Sequence, residues 1–212
     1  MSTKPTIFVV DDDPDMRRSL ECLMGTAGLP IQVFESAEQF LESYRVPQPG
    51  CMLLDVRMPG MGGLRLLQHM QTFVAHLPVI VFTGYGEVPM AVQAMKSGAF
   101  DFIEKPASHQ QILDRVQDAL QRVRNALAAD RERHARELEQ AKIAHLLTKL
   151  SHREREVLEQ MAVGLSGKTI AEQLGISERT VEKHRESIMY KTGTHSLAEL
   201  IRLITFHQVY GS

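Results

Sequence analysis

The stretch CMLLDVRMPGMGG, residues 51–63, decides the fold: an unbroken apolar run, Cys51–Leu54, ends on one acid, Asp55, and passes into a glycine-rich turn. A short apolar run without alternation marks a strand covered on both faces, as in a parallel sheet. The same design recurs on either side. Upstream, Ile7–Val10 ends on Asp11-Asp12-Asp13, and Ile31–Phe34, with Gln32 inside it, reads as a second strand. Downstream, the apolar run Val79–Phe82 ends on Thr83, and the strand Phe100–Ile103, with Asp101 inside it, ends on Glu104-Lys105-Pro106. Amphipathic segments fill the intervals. Met16, Leu20, Leu23, Met24 and Ala27 form a helical stripe stopped by Gly28, and Ser36 is placed to cap the helix bearing Phe40 and Leu41. Leu64, Leu67 and Met70 stripe a third helix, Ala91, Ala94 and Met95 a fourth, and Ile112, Val116, Ala119, Leu120 and Val123 a fifth. Five βα units over residues 1–121 predict one doubly wound α/β domain, a five-stranded parallel sheet of order 2-1-3-4-5.

The rest of the chain reads differently. From Gln121 to Ala144 there is neither glycine nor proline, and Ala, Arg, Glu and Leu dominate, which predicts a long solvated helix over the linker, 122–147. Leu120, Leu127, His134 and Ala141 keep a seven-residue spacing, but two of the four are poor seam residues, so a spacer helix is preferred to a coiled coil. Residues 148–212 read as a four-helix all-α domain. Ser151 with Glu154 is a capping box opening a helix through Val157, Leu158 and Met161 that stops near Gly164. Lys168–Leu174, the turn Gly175-Ile176-Ser177 and a helix capped by Ser177 and reaching Tyr190 have helix-turn-helix proportions. Ser196 with Glu199 opens a last helix, Ser196–His207.

Bulk properties exclude several classes. No apolar stretch approaches the ~20 residues of a membrane helix, and MSTKPTIFVV lacks the form of a signal peptide. Cys22 and Cys51 sit inside regular elements and read as reduced core thiols of a cytoplasmic protein. The net charge of −2 hides an asymmetry: residues 1–121 hold nine Lys and Arg against fourteen Asp and Glu, whereas 145–212 hold nine against eight. An acidic first half followed by a mildly basic remainder suits a regulator attached to a nucleic-acid binder.

In a sheet of that order the strand ends carrying Asp11, Asp12, Asp55, Thr83 and Lys105 are neighbours, and ligands bind outside the carboxyl ends of such strands. Several ionised oxygens at close range favour a hard divalent cation such as Mg²⁺. With that ion beside it, the Asp55 carboxylate is set to attack a phosphoryl group whose oxygens Lys105 and Thr83 hold. Asp13 and Asp15 are read as helix-capping acids. A calcium loop fails, because its sixth position is Met16 rather than glycine and its twelfth is Cys22 rather than glutamate.

VVDDDPDMRRSL, LLDVRMPGMGG, VIVFTGYG and FDFIEKP resemble the receiver domain of two-component response regulators, and GYGEVPMAVQAMKSGAFDFIEKP is similar to its FixJ branch. The resemblance covers about residues 5–120 and implies a flavodoxin-like fold whose Asp55 accepts phosphate from a sensor histidine kinase. It further implies that Asp12, Asp55 and the Arg57 backbone carbonyl bind Mg²⁺ directly, Asp11 acting through water. Thr83 and Lys105 would contact the phosphoryl group, Lys105–Pro106 would be cis, and Phe102 would be the switch aromatic that turns inward as Thr83 moves. The loop Gly84–Val88 would rearrange, and helix four, strand five and helix five would form the dimerising face.

On the Glu178–Tyr190 helix, Val181 and Ile188 are expected to face the core, leaving Arg179, Glu182, Lys183, Arg185, Glu186 and Ser187 on the other side. Charge alone fits a DNA-binding face and a solvated face on a protein-interaction bundle equally well. LSHREREVLEQMAVGLSGKTIAEQLGISERTVEKHRESIMYKTG resembles the LuxR/FixJ-type helix-turn-helix, with one departure: Lys191-Thr192-Gly193 stands where the family often reads KLG. This resemblance implies base readout by Glu182, Lys183 and Glu186, and phosphate contacts by Arg179, Thr180, Arg185 and Lys191. His184 is read as a packing histidine. The implied whole is a transcription regulator, an activator rather than an enzyme, that dimerises when phosphorylated and binds an inverted repeat in promoter DNA, with RNA polymerase a further partner. The alternative is a phosphorylation-gated protein-interaction module.

Overall fold

The computed structural model describes residues 5–44, 48–73, 75–84, 88–196 and 198–202. Five parallel strands, β1 (Thr6–Val10), β2 (Ile31–Phe34), β3 (Gly50–Leu54), β4 (Val79–Thr83) and β5 (Asp101–Glu104), pair in the order β2-β1-β3-β4-β5. Alternate residues of the central strands feed two cores. Phe8, Val10, Met52, Leu54, Val79 and Val81 pack with Phe40 of α2 (Ala37–Ser43), Leu66 and Leu67 of α3 (Gly63–His69) and Ala94 of α4 (Val88–Lys96). Ile7, Val9, Cys51, Leu53, Ile80 and Phe82 pack with Leu20, Leu23 and Met24 of α1 (Pro14–Thr26) and Ile112, Val116 and Leu120 of α5 (His109–Thr148). Both faces are therefore apolar, which is why the strand runs show no alternation.

Helix starts follow local chemistry. Asp13 caps α1 by accepting from the amides of Asp15 and Met16, and Ser36 caps α2 through the Gln39 amide. Several expectations shift, among them Ala27, which is exposed at the C-cap of α1 rather than part of its buried stripe. In α3 it is Leu66 that is fully buried, while Leu64 is only partly so. On α4 Met95 turns outward, joining Val88 and Val92 in an exposed apolar stripe. Cys51 is buried under the sheet, but Cys22 lies on the exposed side of α1, so only one of the two thiols belongs to the core.

Gly63 holds the β3–α3 connection close. A Cβ there would stand 1.9 Å from the carbonyl oxygen of Asp55, and the Gly63 amide donates to Val56 at 3.0 Å.

The chain divides into two compact units, Met1–Asp130 and Arg131–Ser212, and the helix α5 runs without a break through the boundary. In the second unit, α6 (His152–Ala162), α7 (Gly167–Leu174) and α8 (Glu178–Thr192) enclose Leu150, Val157, Leu158, Met161, Ile170, Val181 and Ile188. Ser151 and Glu154 form the expected capping box, and Ser166 and Ser177 cap α7 and α8. Gly175 closes α7 at φ 66, a left-handed geometry that glycine adopts without steric cost. Ser196 accepts from the Glu199 amide, but the Glu199 carboxylate takes the His195 amide, so the second capping box is displaced by one residue. Of the Ser196–His207 helix, residues 197 and 203–207 lie outside the described residues.

One charged group ties this unit together. The buried Glu154 carboxylate accepts from the Ser151 amide (2.6 Å), the Ser187 hydroxyl (2.6 Å) and the Lys191 ammonium (2.7 and 2.8 Å). Burial alone would raise its pKa, but the bonds from Lys191, Ser187 and Ser151 outweigh it and hold the group at about 2. Ser187 is thus on the inner side of α8, not on the outer one.

Gly63→Ala is expected to lower the stability of the first unit by about 3 kcal/mol, since backbone must move to admit the methyl; chemical denaturation measures it. Glu154→Gln should weaken the second unit by about 2 kcal/mol, seen as faster hydrogen exchange at Val157 and Ile188. Because the folded pKa lies below the ordinary 4.5, the wild-type contribution is complete above about pH 4.5 and is lost as pH falls through about 2. The variant should lack that acid-dependent loss.

Candidate functional site

Strand register builds the first site. Val10 pairs with Leu54, so Asp11 and Asp55 are the first residues past adjacent strands, and the Asp55 amide donates to Val10 at 2.9 Å. Leu54 pairs with Val81, which carries Thr83 one residue beyond Asp55 on the next strand. Thr83 pairs with Glu104, and the Lys105 amide bonds Thr83 at 2.9 Å. Four strand ends therefore deliver Asp11, Asp55, Thr83 and Lys105 to one place, Asp12 following Asp11. Asp11, Asp55 and Thr83 are buried; Asp12 is exposed.

Asp11, Asp12 and Asp55 each offer a carboxylate oxygen, and these oxygens lie within 4.8 Å of one another. At that separation two unit charges repel by about 3 kcal/mol for an effective dielectric constant of ~20. Lys105 relieves part of this. Its ammonium is 2.6 Å from Asp11 and 3.5 Å from Asp55, and it lies over the Phe82 ring at 5.1 Å. Asp11 also accepts from the Asp13 amide at 2.9 Å, while Arg17 donates to the Asp11 carbonyl at 2.6 Å. Burial, with the Asp55 charge adding to it, leaves the Asp11 carboxyl above its ordinary value; Lys105 and the Asp13 amide offset only part of the rise. One ammonium against three carboxylates leaves a negative, all-oxygen cluster, and its donors fit a hard divalent ion such as Mg²⁺.

The remaining predicted residues fall around this pocket. Arg57 is exposed in the β3–α3 loop, two residues past Asp55. Phe102 is partly buried on β5, packed against the core that α2, α3 and α4 cover. Lys105–Pro106 is cis. Tyr85, Gly86 and Glu87, in the loop expected to rearrange, lie outside the described residues. Arg17 and the Phe82 platform had no signal in the sequence, because an arginine on an exposed-looking helix turn and a strand aromatic have many ordinary uses.

On α8, Arg179, Glu182, Lys183 and Glu186 are exposed, with Val181 and Ile188 buried behind them. Thr180 is half-buried with its hydroxyl on Ser177 at 2.8 Å, Arg185 reaches Glu182 at 3.4 Å, and His184 is half-buried. Lys191 departs from expectation: both near contacts of its ammonium are internal, to Glu154. Tyr190, which the sequence reading passed over, is 89% exposed beside it.

Residues 7–117 match the family described as "Response regulator receiver domain", and residues 148–204 match "Bacterial regulatory proteins, luxR family". The chain is 41% identical over 203 residues to the transcriptional regulatory protein FixJ of Bradyrhizobium diazoefficiens, covering 96% of each chain. It is 40% identical to the C4-dicarboxylate transport transcriptional regulatory protein DctR of Rhodobacter capsulatus, covering 93% of this chain and 98% of that one. Among solved structures it is similar to the response regulator StyR (43% identity, TM-score 0.63, 96% and 99% coverage). It is also similar to full-length FixJ from B. japonicum (39% identity, TM-score 0.54, 98% and 99% coverage). The two family matches together span most of the chain, the similarity to these relatives runs along nearly its whole length, and the chain belongs to the FixJ-type response regulators, transcription regulators that join a receiver domain to a luxR-type DNA-binding domain.

Proposed function

We propose that Asp55 accepts a phosphoryl group from a sensor histidine kinase and that the modified protein pairs with a second copy to bind promoter DNA. The crowding of Asp11, Asp12 and Asp55 within 4.8 Å, with Lys105 beside them, carries this reading. Asp12, Asp55 and the Arg57 carbonyl would hold Mg²⁺ directly, with Asp11 acting through water. When bound, Mg²⁺ neutralises charge on the phosphoryl oxygens. An Asp55 oxygen attacks phosphorus in line; the P–O bond forms as the P–N bond to the kinase histidine breaks, and that nitrogen takes up a proton. Lys105 and the Thr83 hydroxyl steady the other oxygens. Attack of water on phosphorus later returns the carboxylate and inorganic phosphate. A protein that turns over only its own side chain is a regulator rather than an enzyme.

The added charge draws Thr83 toward Asp55, Phe102 turns inward, and the loop Gly84–Val88 rearranges. The output face comprises α4, β5 and α5, and the exposed stripe Val88, Val92 and Met95 supports its use in pairing. In this reading residues 1–121 are the receiver, 122–147 a spacer helix and 148–212 the DNA-binding domain. Glu182, Lys183 and Glu186 read bases, while Arg179, Thr180 and Arg185 meet phosphates of an inverted repeat. Lys191 is left out of the contact set because Glu154 holds it. The setting is the cytoplasm, with RNA polymerase a further partner at the promoter. Among the described residues no helix is long and apolar enough to cross a membrane.

With a small-molecule phosphodonor and Mg²⁺, intact protein should gain one phosphoryl mass on Asp55. Asp55→Asn, or removal of Mg²⁺ by a chelator, should abolish the gain; modification elsewhere in the chain would overturn the assignment. In DNA titrations, Arg179→Ala should reduce the salt slope of log affinity by about 1, as expected for one lost phosphate contact, whereas Lys191→Ala should leave the slope unchanged. Binding insensitive to salt would favour a protein partner for this unit.

A further inference from the structure

The loop that carries Asp55 and Arg57 is tied at both ends: the Asp55 amide donates to Val10 at 2.9 Å and the Gly63 amide to Val56 at 3.0 Å. Between these ties, a second element reaches in. Glu38, in the first turn of α2, accepts a hydrogen bond from the Met61 amide at 2.6 Å, a contact spanning 23 residues of chain. The approach is close because Gly60 makes room for it. Gly60 has φ +76, and a Cβ there would lie 2.6 Å from the same Glu38 oxygen. Met61 itself packs partly buried against the core beside α2 and α3, so amide and side chain are fixed together. The Met61 bond is also the leading reason that the Glu38 carboxyl sits below its ordinary value. An acid in a helix's first turn needs only the helix dipole to account for it. A bond to a backbone amide of another loop is a different use of the group.

We propose that Glu38 is a positioning residue for phosphoryl transfer, a carboxylate clamp from α2 that fixes the β3–α3 loop and with it the geometry of Asp55 and Arg57 toward the divalent ion. The clamp acts behind the groups that meet the ion, as hydrogen-bond partners of metal ligands do. The proposal rests on the reading of Asp55 as phosphoacceptor and of the pocket as a Mg²⁺ site.

The test uses the full chain and three variants: Glu38→Ala, Glu38→Asp, which keeps the charge but shortens the reach, and Glu38→Gln, which keeps an acceptor oxygen without charge. Mg²⁺ affinity is measured by calorimetry, phosphoryl gain from a small-molecule donor is followed against Mg²⁺ concentration, and Met61 amide exchange reports the bond. Glu38→Ala and Glu38→Asp should speed Met61 exchange and raise the Mg²⁺ concentration for half-saturation roughly tenfold, with the rate at saturating Mg²⁺ little changed. Glu38→Gln should behave like wild type. Wild-type affinity in Glu38→Ala despite fast Met61 exchange would overturn the clamp, as would Glu38→Gln failing as badly as Glu38→Ala, which would point to charge alone. Failure of the wild-type protein to take up phosphoryl would instead sink the acceptor reading, which the calorimetric comparison does not depend on.

Discussion

Three carboxylates share one crevice, and the fold is arranged around keeping them there. Left alone, Asp11, Asp12 and Asp55 would separate or take up protons. Instead each is anchored by its backbone: Asp11 and Asp55 continue paired strands, and β1 and β3 are pinned by apolar side chains on both faces. The strands cannot splay to relieve the repulsion without opening two cores. Lys105, delivered by β5 and stacked over Phe82, supplies one positive charge. The residual negative charge is of the kind that a hard divalent cation would offset.

The same logic governs the second unit on a smaller scale. Glu154 is buried at the start of α6, where its desolvation would be unfavourable without partners. Ser151, Ser187 and Lys191 supply them, so one carboxylate caps one helix and holds the inner side of another. The orientation of α8, and hence of Arg179, Lys183 and Glu186, depends on a charge buried on its inner side. With its carboxylate buried and its ammonium partly exposed, such an ion pair adds little net stability over an apolar contact, but removing the lysine would leave the buried carboxylate less compensated.

Much of the fold was legible because its signals are local. Short apolar runs, three of them ending in Asp or Thr, marked the strands, and Ser36, Ser151 and Ser177 marked helix starts because a side-chain oxygen within three residues of free amides has a short-range reward. The acidic pocket was legible because the strand order makes chain-distant ends neighbours. Misreadings came where two helical phases compete. Leu64 and Leu66 are both apolar, and only packing against Phe40 and the sheet selects which faces inward. Met95 and Ser187 were likewise assigned by residue character, whereas Met95 is surplus to a core already filled by Ala94, and Ser187 has Glu154 to meet.

By itself the sequence determined that Asp11, Asp12, Asp55, Thr83 and Lys105 lie at strand ends, because period and composition are properties of neighbours along the chain. Tertiary structure alone decided that Lys105 leans on Asp11 more closely than on Asp55, that Lys191 belongs to Glu154, and that Glu38 reaches Met61. Such pairings are set by the distance between elements, and Coulomb and hydrogen-bond energies change steeply over the last ångström, a scale that no spacing in sequence encodes.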